Sequence, residues 1–179
     1  RKAIGFIEEN NLSKFSLPIL YSELATVLID TGRYEEAAEE LEKGKARLTL
    51  PEYIWPLKLK QVILYSRTGR SAEARTLFDR IRQGHGGYLT TASLTEAQLA
   101  IDLAEHEFGK ALATLDKLIG LFKETGHSET YFYKLFQTRA EAYAETGNYE
   151  AAYKSQKHYL DLYRKKVGDD NERTLGEFA

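Results

Sequence analysis

One interval recurs along this chain and constrains its fold more than any other property. Thr31-Gly32-Arg33-Tyr34, Thr68-Gly69-Arg70-Ser71 and Thr146-Gly147-Asn148-Tyr149 are near copies, and Glu105-His106-Glu107-Phe108 falls into register between the second and third. From Gly32 to Gly69 to His106 to Gly147 the steps are 37, 37 and 41 residues. An alanine three residues after each aromatic or serine keeps those steps (Ala37, Ala74, Ala111, Ala152). So does a leucine twelve residues before each glycine or histidine (Leu20, Leu57, Leu94, Leu135). A period carried by three columns marks stacked units, none of which buries its apolar face alone.

Each column has a physical reason. Upstream of the turns, apolar residues fall at helical spacing, as in Leu20, Leu24, Val27 and Leu28. The glycine ends that helix, because the residue after the last turn adopts a left-handed conformation that costs glycine nothing. His106 takes the place once, and His is among the residues enriched at positive φ. The aromatic after the turn is expected between two helices, and the alanine lets their axes approach. Leu41, Phe78 and Leu115, joined by Ile81 and Leu118, continue the buried stripe of a second helix. Each unit therefore reads as a helix–turn–helix hairpin. Only three prolines interrupt the chain, so most of it is free to be helical.

The pattern resembles the tetratricopeptide repeat. Tyr21, Leu24, Ala25, Leu28, Gly32, Tyr34, Ala37 and Leu41 match that motif in the first unit. The second keeps Tyr65, Gly69, Ala74 and Phe78, and the fourth keeps Phe136, Ala140, Tyr143, Gly147, Tyr149 and Ala152. The third keeps only Phe108, Ala111 and Leu115. Gln61, Gln98 and Arg139 stand where the family has leucine, and Asp102 where it has tyrosine. The units exceed the family's usual 34 residues, which implies extra helical turns or longer connections. The resemblance implies an all-α, right-handed superhelical solenoid of about four repeats over 18–50, 53–84, 91–122 and 129–167. Counting back by the period makes 1–12 the end of a preceding repeat, so the chain is expected to start inside one. Gly168 is expected to stop the long helix, with Asp169 or Asp170 capping a short one over 169–179 that covers the fourth repeat.

Little in the sequence points to chemistry. Zero cysteines exclude a disulfide framework, a zinc ribbon and thiol catalysis. No apolar run approaches the ~18–20 residues needed to cross a bilayer. The four histidines, His85, His106, His127 and His158, form no ligand pair at helical spacing, and Lys110 stands where a metalloprotease motif begun by His106-Glu107 needs histidine. Gly84-His85-Gly86-Gly87 lacks the Gly-Lys-Ser/Thr of a phosphate cradle and reads as a connection between repeats. Carboxylate pairs Glu35/Glu36 and Glu39/Glu40 are expected on a solvated helix face. The expectation is therefore no catalytic residue, no metal and no cofactor. A cysteine-free chain fits the cytoplasm or a bacterial periplasm equally, and the cytoplasm is the expectation adopted.

Partner binding is what remains. In the tetratricopeptide family the first helices line a concave groove that holds peptides. The matching positions are Ile19, Ser22, Thr26 and Ile29; Leu59, Ile63, Ser66 and Arg67; Glu96, Ala100 and Leu103; and Lys134, Gln137 and Glu141. Positions that would form the family's carboxylate clamp hold Ser22, Thr26, Lys60, Ser93 and Ala97, which offer no paired cations for a terminal carboxylate. Ile19, Ile29, Leu59, Ile63, Ala100 and Leu103 make an apolar strip. If open it marks a partner site; the alternative is burial by a neighbouring helix or by the superhelical curvature. The expected function is a non-catalytic protein- or peptide-binding module, and a homo-oligomerisation scaffold is the alternative. The stretch from Tyr159 to Glu172 also resembles the exit from repeat sensor regions of bacterial signalling proteins, which implies a regulatory role in a larger chain. An RNA-binding reading rests on Arg67, Arg70, Arg75, Arg80 and Arg82 alone, against a net charge of −2.

Overall fold

The computed structural model describes residues 17–47, 50–84 and 86–177. The helix expected over 1–12, His85 and Phe178 lie outside them. Among the described residues there are eight helices and no strand. They are α1 (Leu17–Asp30), α2 (Tyr34–Arg47), α3 (Pro51–Arg67), α4 (Ser71–Gly84), α5 (Thr91–Ala104), α6 (Phe108–Glu124), α7 (Lys134–Glu145) and α8 (Tyr149–Glu177).

The turn column folds as its chemistry requires. Gly32, Gly69 and Gly147 have φ of 72°, 75° and 76°, and among the described residues His106 is the non-glycine residue at positive φ, 58°. Past three of these turns the backbone N–H of Arg33, Arg70 and Asn148 donates to Leu28, Tyr65 and Tyr143 at 2.8, 2.9 and 2.9 Å. That six-to-one bond satisfies a carbonyl the helix end leaves open. The alanine column then starts the next helix: Ala37, Ala74, Ala111 and Ala152 donate to Arg33, Arg70, Glu107 and Asn148 at 2.9–3.0 Å. Bidentate Arg33–Glu36 and Arg70–Glu73 pairs brace the first turns of α2 and α4.

The helices fall into two compact units, residues 1–105 and 106–179. In the first, α1 packs on α2 and α3, and α3 also packs on α2, α4 and α5. Tyr21, Ala25, Leu28, Ile29, Ala37, Leu41, Leu57 and Leu64 form one core, and Leu59, Val62, Ala74, Phe78, Ile81, Ala97 and Ile101 a second. Gly44 occupies the place that Ile81 and Leu118 hold in later repeats. A Cβ there would stand 2.9 Å from Leu57 Cδ1 and 3.0 Å from Tyr21 Cγ, so only glycine lets α2 come this close. In the second unit α7 packs on α6 and α8 around Ile119, Phe132 and Phe136. The length beyond 34 residues arises both ways: α3 and α6 have 17 residues against 14 in α2, α4 and α5, and nine residues join α6 to α7.

Two expectations are corrected. Gly168 does not stop a helix, since α8 runs unbroken from Tyr149 to Glu177. A helix-interior glycine costs roughly 1 kcal/mol but breaks nothing by itself, and the Lys166–Asp170 pair, 3.0 Å, bridges the turn around it. Glu40 is not on the solvated face; it is buried, because 37, 40, 41 and 44 form one stripe at helical spacing. Lys43 neutralises it at 3.1 Å.

Candidate functional site

The first helices α1, α3 and α5 lie side by side, and a cavity of about 210 Å3 opens on them. The helical spacing of α3 sends Pro56, Leu59, Lys60 and Ile63 to one face, where they meet Ser22 of α1 and Ser93 and Glu96 of α5. The connection into α5 closes one side with Tyr88, Leu89 and Thr90. It is held there because Thr90 caps α5, accepting from the Ser93 N–H at 3.1 Å. Pro56 removes an amide donor from the second turn of α3.

The chemistry of this cavity is apolar below and paired at the rim. Leu59, 3% exposed, forms its floor and belongs to the second core. Ile63 is half-buried between both cores. Lys60 Nζ reaches Glu96 Oε2 at 3.3 Å, a bridge from α3 to α5 with Lys60 the more covered partner. The hydroxyls nearby are occupied within their own helices: Thr26 donates to the Ser22 carbonyl at 2.9 Å and Ser66 to Val62 at 3.0 Å.

Of the expected groove residues, Ser22, Leu59, Ile63 and Glu96 come together at this cavity. Ile19 and Arg67 are exposed, Thr26, Ala100 and Leu103 half-buried, and Ile29 is buried in the first core. The apolar strip thus divides into core and surface. Lys134, Gln137 and Glu141 lie on α7 in the other unit, where Gln137 donates to Glu141 at 3.2 Å. Tyr88, Leu89 and Thr90 were not expected at a site; the Thr-x-x-Ser start of α5 is the signal that holds them there.

The residues that depart from the repeat motif have partners. Gln61 donates to Tyr65 at 2.7 Å and accepts from Lys45 of α2 at 3.1 Å. Gln98 donates to the buried Asp102 at 2.6 Å. Arg75 of α4 pairs with Glu105, and the Glu105 hydrogen bond, with Asp102 nearby, holds its guanidinium firmly protonated. Arg139 of α7 stands 3.5 Å from Asp116 of α6. The Lys45–Gln61, Arg75–Glu105 and Asp116–Arg139 pairs tie a hairpin to the helix before it, whereas Gln98–Asp102 lies within α5. Arg70 also lies over the Tyr65 ring at 3.9 Å while paired with Glu73. Two of the five arginines behind the RNA reading are therefore already neutralised.

In the second unit Glu129 accepts from Lys123 at 2.8 Å and contacts His158 Nε2 at 3.0 Å. The Lys123 ammonium, and then His158, hold its carboxyl below the ordinary range. The Phe136 ring meets the His158 ring edge-on at 4.4 Å. Among the described residues no group of three or more acidic or histidine side chains is placed to hold a metal ion, and no helix is long and apolar enough to cross a membrane.

Family models described as tetratricopeptide repeat match residues 18–43 and 59–80, and a second such model matches 133–166. No curated protein and no solved structure matches the chain. The matched segments coincide with α1–α2, with most of α3–α4 and with α7–α8, and their turns carry the glycine and alanine columns. Those segments of the chain are tetratricopeptide repeats.

Proposed function

We propose that this chain is a non-catalytic module that holds an extended segment of a partner protein on the α1–α3–α5 face. Tetratricopeptide repeats mediate protein–protein interaction, and the cavity over Leu59 and Ile63 is the observation that supports this particular face. It accepts one apolar side chain, while the Lys60–Glu96 pair offers the adjoining peptide backbone a donor and an acceptor. No pair of open cations faces it, so the ligand is an internal segment rather than a terminal carboxylate.

Leu59 itself is unsuited to a charge probe, because it is part of the core. Ser22→Arg and Ser93→Arg fill the rim without touching the floor. The expected result is loss of partner capture by both variants in a pull-down with wild-type melting temperature. Undiminished capture by both rules this face out. A regulatory place in a larger signalling protein is a further reading, supported by the Tyr159–Glu172 resemblance. A full-length chain with no output domain beyond these repeats sinks that version.

A further inference from the structure

The face of α3 that opens into the cavity continues past it. At about 100° per residue, Pro56, Lys60, Ile63 and Arg67 fall within about 60° of the helix circumference, and the first three line the cavity. Arg67 ends the helix on the same line. It stands about 6 Å of helix rise beyond Ile63 and about 12 Å beyond Leu59. By the 37-residue step, Ala100 and Ala104 are the equivalents of Ile63 and Arg67 on α5, which packs along α3. With Leu103 they are half-buried and uncharged, so the track from the cavity to Arg67 has an apolar wall on its α5 side.

Arg67 differs from the other cations of α3. Lys58 lies over the Trp55 ring at 4.4 Å, and Lys60 is held by Glu96 at 3.3 Å. Arg67 is exposed and makes no ion pair among the described residues. A last-turn cation is favoured by the helix dipole without any partner. This one is also aligned with the cavity, and the acids of α5 are taken: Glu96 by Lys60, Asp102 by Gln98 and, just past the helix end, Glu105 by Arg75. Asp30, the equivalent of Arg67 on α1, has an interaction of its own.

We infer that the partner segment in this groove carries an acidic side chain two or three residues from its apolar anchor, and that Arg67 receives it. This rests on the anchor occupying the cavity, as proposed above. An extended chain advances about 3.3 Å per residue, so two or three residues cover about 7–10 Å. That matches the rise of about 9 Å from the middle of the Leu59–Ile63 stretch to Arg67. A guanidinium takes a carboxylate in a bidentate pair. A lysine or arginine at the same place meets like charge, so one open arginine both attracts and rejects.

A library of acetylated, amidated ten-residue peptides, with leucine fixed at the fifth place and the rest randomised, is passed over the immobilised 179-residue chain and the retained peptides are sequenced. The expected result is enrichment of aspartate and glutamate two or three places to one side of the leucine, by about threefold, the scale of one exposed ion pair. Arg67→Glu, at an unchanged melting curve, should exchange that preference for lysine and arginine. Where Ser93→Arg abolishes retention, acid enrichment that is absent, or that survives Arg67→Glu, overturns the role of Arg67 alone. A wild-type chain that retains no peptide, or a Ser93→Arg chain that retains as many, overturns the occupied cavity and the role of Arg67 with it.

Discussion

Glu129 shows how one side chain can tie three segments together. It joins the end of α6 through Lys123, the following connection through its own backbone, and α8 through His158. A carboxyl held below its ordinary 4.5 gives its full stabilisation above that value and loses it as pH falls through the lower, folded value. Glu129→Gln should therefore be less stable than wild type at pH 6.5 by roughly 0.5–1 kcal/mol, the scale of a partly exposed ion pair. The difference should close towards pH 3. Denaturant unfolding of both chains at the two pH values measures it, and a gap that persists in acid would show that the charge is not the cause. The residue was legible as a carboxylate, but its partners were not. Lys123 and His158 are 35 residues apart, and only the docking of α7 between α6 and α8 brings them to one point.

At the scale of elements, glycine means three different things here. In the turns it answers to φ, and the spacing alone located Gly32, Gly69 and Gly147 and the substitute His106. In Gly44 it answers to a close approach that spacing could not show, because the neighbours Tyr21 and Leu57 come from α1 and α3. In Gly168 it answers to neither: α8 is continuous and nothing lies within 4 Å of a Cβ there. Two melting curves separate these cases. Gly168→Ala should raise stability by about 0.5–1 kcal/mol, since it removes only backbone entropy and fills open space. Gly44→Val should lower it by roughly 1–3 kcal/mol through overpacking. A destabilised Gly168→Ala would restore a helix end at that position.

At the scale of the molecule, stability in stacked hairpins is a sum of neighbour terms, so it varies along the chain. Within residues 1–105, α3 touches α1, α2, α4 and α5, and Leu57 and Val62 are fully buried. From Arg164 to Asn171 no residue of α8 is buried. Native-state hydrogen exchange should accordingly be slowest over 57–66 and fastest beyond Val167. Equal rates across both segments would contradict the contact pattern.

The sequence alone determined the local events. Helix ends, turn glycines, the alanine starts and the apolar columns are decided within a few residues, where backbone sterics and a 3.6-residue period act. Those same rules misjudged Gly168 and Glu40, because a glycine's cost and a carboxylate's exposure depend on what stands beside them. Which half of the apolar strip became core, and that Tyr88, Leu89 and Thr90 wall the cavity, were decided only when α1, α3 and α5 packed side by side. Burial is a property of neighbours, and neighbours 37 residues away are chosen by tertiary packing.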